Sequence, residues 1–320
     1  MTQRILLDTD LSMGQPGSEI DDGFALALAV ADPELTLELV TTVNGNTDVD
    51  TATRLTLDLL HRLGHHVPVA RGASAPLLRD TPRSPADAEV ARPPGSDPGR
   101  RELSHAARHL VEHVLAAPGE LTVVAIGPLT NIALALALEP RMAAAVREVV
   151  VMGGVYLGQT NLASMPGEFN FWVDPEAAAM VLASGAPLRL VGLDVTRLVR
   201  LSIEDASRMR ASGGGFASFA ADCTDEWIRH LARTVPGDER GQGSCALHDP
   251  LAVAAAARPD LLTWRDAYVT LEIGAERTRG VAVADLLSTD SPPQPNCRVA
   301  VDVDVDGFLA HLVDMLGRLP

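Results

Sequence analysis

Four carboxylates crowd one short stretch near the start of the chain: Asp8 and Asp10 in Asp8-Thr9-Asp10, then the adjacent Asp21-Asp22. Carboxylates held together repel one another strongly unless a cation neutralises them. An oxygen-only set suits a hard ion such as Ca²⁺ or Mg²⁺. A plain structural reading, in which Asp21 or Asp22 caps a helix, accounts for one aspartate and leaves the others. Further along, Thr41-Thr42-Val43-Asn44-Gly45-Asn46 ends an apolar run, and Asn-Gly is an ordinary turn signal. Two of the chain's six asparagines nevertheless sit at this one strand end. In Gly127-Pro128-Leu129-Thr130-Asn131, Thr130 is by default an N-cap, while a backbone carbonyl at such a turn is also a possible cation ligand. Glu168 and Asn170 alternate around Phe169 and so share a face of an extended segment. A carboxylate beside an amide both accepts and donates, which suits sugar hydroxyls. Asp174-Pro175 reads as a helix cap with proline at the first helical position. His248-Asp249-Pro250 precedes an alanine-rich helix, where a cap and a satisfied core histidine are the plain readings. His105, His109 and His113 recur every fourth residue and read as a helix flank rather than a zinc site. Trp227 is either core or a platform for an aromatic ligand.

These residues sit at the ends of recognisable elements. Ile5–Leu7, Leu35–Val43, Val67–Ala70, Leu121–Ile126, Glu148–Met152 and Leu188–Leu193 read as buried strands. Helical patterns lie between them at Asp22–Ala31, Asp48–Leu63, Glu102–Ala116, Thr130–Leu138 and Pro175–Ala183. The alternation predicts an α/β fold: an open, mainly parallel, Rossmann-like sheet flanked by helices. Ligands then bind outside the carboxyl ends of the strands, where the aspartates and asparagines fall. Residues 203–235 read as helix broken at Gly213-Gly214-Gly215, and two or three strands with a last helix, Gly307–Leu316, close the chain. The Pro- and Arg-rich segment Asp80–Arg101 reads as a lid or a plain surface loop. Neither repeat nor linker is evident, so residues 1–320 are expected to form a single domain.

Composition removes several classes. All 26 basic residues are arginine. Without lysine there is no Walker A loop, no Schiff-base chemistry and no Ser-x-x-Lys acyl enzyme. An Asp8-x-Asp10-x-Ser12 phosphohydrolase of the haloacid-dehalogenase type would lack its usual phosphate-binding lysine. A net charge of −16 disfavours nucleic acid as a partner. Hydrophobic residues at 47% and charged residues at 21% suit a globular chain. Cys223, Cys245 and Cys297 form no disulfide framework. With neither a signal peptide nor a membrane-spanning run in view, the expected location is the cytoplasm.

Taken in order, these pieces resemble the inosine–uridine-preferring nucleoside hydrolase family. The likeness runs through Asp8-Thr9-Asp10 with Asp21-Asp22, Thr41–Asn46, Gly127–Ala133, Val151-Met152-Gly153-Gly154, Glu168-Phe169-Asn170 with Asp174–Ala178, Val191–Thr196 and His248-Asp249-Pro250. It implies hydrolysis of the N-glycosidic bond of ribonucleosides at one bound Ca²⁺, giving ribose and a free base. Asp10, Asp22, Asp249 and the Thr130 carbonyl would hold the ion. Asp10 would also be the general base, oriented with help from Asn46. Asp21, Asn161, Glu168, Asn170 and Asp249 would grip ribose hydroxyls, and His248 would protonate the leaving base. The resemblance further implies a homodimer or homotetramer. A noncatalytic ribose- or nucleoside-binding protein on the same scaffold is the alternative, and the presence of His248 favours the enzyme. Two departures stand out. The family usually reads Asp-x-Asp-Pro-Gly-x-Asp-Asp, and here the whole of Leu11–Ile20 replaces its Pro-Gly-x. Rich in turn formers, this segment is expected to be an exposed spacer or to reach over the substrate. Met165-Pro166-Gly167 makes the approach to Glu168 slightly longer than usual.

Overall fold

A strand that is apolar on both faces persists only between two hydrophobic layers. Ile5, Leu6 and Leu7 are all fully buried, and they set the plan of the molecule. The computed structural model describes residues 2–79, 102–158, 165–234, 243–286, 291 and 293–319. Asp80–Arg101 and Asn161 lie outside them. The first half runs β1 (Gln3–Thr9), α1 (Asp21–Ala31), β2 (Leu35–Thr42), α2 (Val49–Arg62), β3 (Val69–Arg71), β4 (Glu102–Ser104), α3 (Ala106–Ala116), β5 (Leu121–Ala125), α4 (Thr130–Leu138), α5 (Met142–Ala145) and β6 (Glu148–Met152). It continues with α6 (Phe169–Val173), α7 (Pro175–Leu182), β7 (Leu188–Val191), α8 (Leu193–Thr196), β8 (Arg200–Ser202), α9 (Ile203–Ser212), α10 (Gly215–Thr234) and β9 (Ser244–Ala246). The last elements are α11 (His248–Ala257), β10 (Leu262–Leu271), β11 (Ala282–Asp285), β12 (Cys297–Val303) and α12 (Val305–Leu316).

Ten strands form one sheet in the order β11-β10-β12-β7-β6-β5-β1-β2-β3-β4. All neighbours are parallel except β10, which runs antiparallel to both β11 and β12. Side chains alternate between two cores, as a period of two requires. Ile5, Leu7, Val124 and Val150 meet α1, α2, α11 and α12 on one face. Leu6, Val123, Val149 and Val151 meet α3, α4 and α7 on the other. The chain leaves β1 towards β2, β3 and β4, then returns to the opposite side of β1 as β5. That reversal opens a crevice beyond the carboxyl end of β1, the usual ligand position in such sheets.

Several expectations need correction. Glu102–Ser104 is not the first turn of a helix but a short edge strand beside β3. Glu168 to Asn170 is not extended: Glu168 caps α6, and Asn170 lies inside that helix. Thr130 opens α4 without capping it, because its hydroxyl is turned onto Asp174 Oδ2 at 2.7 Å. Asp174 itself caps α7, accepting from the Ala177 amide with Pro175 at the first helical position. The segment 11–20 is no exposed spacer, since Leu11, Ser12, Met13 and Ile20 are buried. Its turn-forming composition fits the tip, while its apolar residues fill the core beside α1.

Candidate active site

Asp10 directly follows β1, at the crevice. Its Oδ2 accepts the Asn46 backbone N–H at 2.6 Å. Gly45 lets that loop approach: a Cβ there would stand 1.9 Å from Asp10 Oδ2. Asp22, near the start of α1, accepts from the Thr9 hydroxyl and from Asn46 Nδ2, the latter at 3.0 Å. Asp21 does not cap its own helix. Its Oδ2 accepts the backbone N–H groups of His248 and Asp249 at 3.1 and 3.3 Å. It thus satisfies amides that the start of α11 cannot pair within the helix. In this way α11 is pinned to α1, and Asp249 is brought to the other aspartates. Oxygens of Asp21, Asp22 and Asp249 lie within 4.8 Å of one another.

Burial dominates the electrostatics. It pushes the Asp10 carboxyl up to about 8 against the pull of the Asn46 amide, with Glu19 and Asp21 adding repulsion. Burial likewise raises Asp21 to about 6. Asp22 is raised by burial and then by Asp10 and Asp21, and Asp249 by burial and then by Asp21 and Asp22. Such a set is stable only when protons or a cation offset its charge. Asp10 Oδ1 and Asp21 Oδ1 are buried without a hydrogen-bond partner among the described residues. The close oxygens of Asp21, Asp22 and Asp249 form an oxygen-only set that fits a hard cation.

His248 stands at the edge of the aspartates, its Nδ1 2.7 Å from the Thr196 hydroxyl. Burial, then Arg197 and Arg200, push its imidazole down to about 3, so the resting ring is neutral. This departs from the near-neutral value that a solvated histidine would bring. Beyond the end of β6, Glu168 accepts amides of Gly154, Asn170 and Phe171 at 3.0, 2.8 and 3.1 Å. Burial raises it to about 7 despite those bonds. Asn170 Nδ2 donates to the Ile126 and Met152 carbonyls, across the ends of β5 and β6.

The structure therefore gathers Asp10, Asp21, Asp22, Asn46, His248 and Asp249, with Glu168 and Asn170 ordered at neighbouring strand ends. Three residues escaped the reading of motifs. Asn131 donates to Asp8 Oδ1 and the Thr42 carbonyl and accepts from the Ala73 amide, clipping strand ends together. Its place beside Thr130 was visible, but its partners were not. Thr196 orients His248, and Glu19 joins Asp21 and His248 in a second close group. His109 pairs with Glu112, and His113 bonds the His109 carbonyl. The histidines of α3 thus form a helix flank, and no metal-holding group among the described residues includes them. Trp227 stacks on His230 with centroids 5.4 Å apart and packs against the core. No helix among the described residues is long and apolar enough to cross a membrane.

Comparison with known proteins adds to this geometry. The family model described as inosine-uridine preferring nucleoside hydrolase matches residues 5–310. A non-specific ribonucleoside hydrolase, RihC, of Salmonella typhi is 37% identical over 99% of this chain and 98% of its own. A purine-preferring ribonucleoside hydrolase from Gardnerella vaginalis superposes with a TM-score of 0.86 at 30% identity, covering 98% of both chains. A plant nucleoside hydrolase, PpNRh1, does so with a TM-score of 0.84 at 27% identity, covering 99% of both.

Proposed function

The chain belongs to the inosine-uridine preferring nucleoside hydrolase family, and from that membership we propose calcium-dependent hydrolysis of the N-glycosidic bond of ribonucleosides, releasing ribose and a free base. One observation carries the reading: oxygens of Asp21, Asp22 and Asp249, from α1 and α11, lie within 4.8 Å of one another, Asp10 shares the Asn46 loop with Asp22, and Asp10 and Asp21 each keep a bare buried oxygen. Asp10, Asp22, Asp249 and the Thr130 carbonyl are the residues we assign to the ion. A bound calcium ion would offset their charge, seat the sugar diol and acidify a water.

The chain's own groups account for the remaining work. Cleavage passes through an oxocarbenium-like sugar. Carboxylates around that sugar stabilise its positive charge. Asp10 takes the proton of the attacking water, held in place by the Asn46 amide at 2.6 Å. Asp21, Glu168, Asn170 and Asp249, with Asn161, grip the ribose hydroxyls. His248 faces the departing base. Its ring is neutral at rest, so it offers an N–H to the base as negative charge develops there. The Thr196 contact on Nδ1 leaves Nε2 for that task.

We assign residues 1–320 to one catalytic domain, with a homodimer or homotetramer as the working assembly. The cytoplasm suits its three free cysteines. The net charge of −16 sets it against nucleic acid. The test is a panel of inosine, uridine, adenosine and cytidine with purified protein, read as reducing sugar released. At least one should be turned over, with about one calcium per chain by elemental analysis. Binding of nucleosides with no ribose release would make the protein a binding module instead.

A further inference from the structure

The segment that replaces the family's short turn carries one polar side chain into the site. Its frame is fixed on all sides. Leu11, Met13 and Ile20 are buried, so moving the segment away would return apolar surface to water. The Ser18 hydroxyl donates to the Ser12 and Gln15 carbonyls at 2.7 and 2.8 Å, and the Ser12 hydroxyl donates to the Glu19 carbonyl at 3.2 Å. Gln15 Nε2 reaches the Thr47 hydroxyl at 3.3 Å. The tip rests on α10: Gly17 has φ +70°, and a Cβ there would stand 2.7 Å from His230 Nδ1. Glu19 is therefore held at the site rather than waving beside it.

Its carboxylate lies within 4.8 Å of ligand atoms of both Asp21 and His248. Among the described residues, none donates a hydrogen bond to it or pairs with it. Asp21, Asp22 and Glu168 are the charges that act on it most. The metal-type group of Asp21, Asp22 and Asp249 does not include it, so it stands on the His248 side of Asp21. A carboxylate here can serve the sugar or the base. Beside the base it would oppose the negative charge of the leaving group. Beside the sugar it would favour the positive oxocarbenium.

We propose that Glu19 is a further substrate-contacting residue, its carboxylate accepting a hydrogen bond from a ribose hydroxyl of the bound ribonucleoside. The inference rests on the hydrolase reading and adds to it a contact made from the segment that replaces the family's short turn. The test uses the full-length, calcium-loaded protein and D-ribose. Calorimetry should show ribose binding weakened about 10- to 100-fold in Glu19→Gln, the range for a lost charge-assisted hydrogen bond. Calcium content and melting temperature should stay at the wild-type level. The loss in kcat/KM should be as large on nitrophenyl riboside as on inosine, because the contact is to the sugar. Glu19→Asp, which keeps the charge but shortens the reach, should recover only part of the affinity. Unchanged ribose binding in Glu19→Gln overturns the proposal, as does a loss confined to inosine. A matching fall in calcium content would make Glu19 an ion ligand instead. A wild-type protein that binds ribose yet hydrolyses no nucleoside would sink the hydrolase reading alone, and the ribose titration would still judge Glu19.

Discussion

Asp10 and Asp21 each spend one oxygen on backbone amides and keep the other bare. At the scale of single residues this division of labour recurs: one atom is fixed by the fold and another is left for chemistry. His248 follows it, with Nδ1 on the Thr196 hydroxyl. If the remaining nitrogen serves the leaving base, His248→Ala should cut turnover of inosine by roughly 10²–10⁴. A nitrophenolate leaves as a stable anion and needs no help, so the same variant should keep most of its activity on nitrophenyl riboside. Equal losses on both substrates would reassign His248 to the fold or the sugar. Glu19→Gln is expected to penalise both substrates alike, so the two variants separate the two ends of the substrate.

Elements bring these atoms together, and the joints between elements carry measurable energy. Asp32 closes α1 and accepts the Glu34 amide at 2.8 Å and His311 Nε2, from α12, at 2.9 Å. Burial raises its pKa, but those bonds outweigh burial and leave it below the usual value. A carboxyl depressed in the folded state stabilises the protein above its unfolded pKa of about 3.9 and loses that contribution as pH falls through the lower native value. Asp32→Asn should therefore lower stability by roughly 1–3 kcal/mol at pH 7. The gap to wild type in denaturant titrations should narrow as the pH drops below about 4. A gap that holds constant with pH would mean that the carboxylate's charge plays no part. Elements were also the part of the structure most legible beforehand. The strands around β1 declare themselves because their residues are apolar on both faces, and the catalytic types stand at their ends. The five-residue α6 was missed because a glutamate cap is a weak start signal beside Ser, Thr, Asp or Asn. The fate of 11–20 was unreadable because it depends on α10, remote in sequence, whose Phe219 and His230 support Gly14 and Gly17. Turn-forming composition describes a segment's backbone, not the surface it will meet.

At the scale of the whole molecule, an acidic chain concentrates its most strained charge at one point. An ion that binds only the folded protein stabilises it by mass action, by about 2.7 kcal/mol at a hundredfold excess over its Kd. Stripping with EDTA should thus lower the melting temperature by several degrees, and added calcium should restore it. Identical melting curves with and without chelator would remove calcium from the account. The same point is where distant parts of the chain meet, since the Asp21 carboxylate takes amides 227 and 228 positions away. During synthesis, Asp8, Asp10 and Asp22 meet their partners Asn131, Asn46 and Thr9 early, while Asp21 waits until α11 has followed. Most of the sheet can form in that interval, yet the acidic crevice has no Asp249 and its Asp21 has no amides to hold. The contact that brings Asp249 to the other aspartates is therefore made late. A chain interrupted before His248 would carry the strand ends of a hydrolase but not half of its activity.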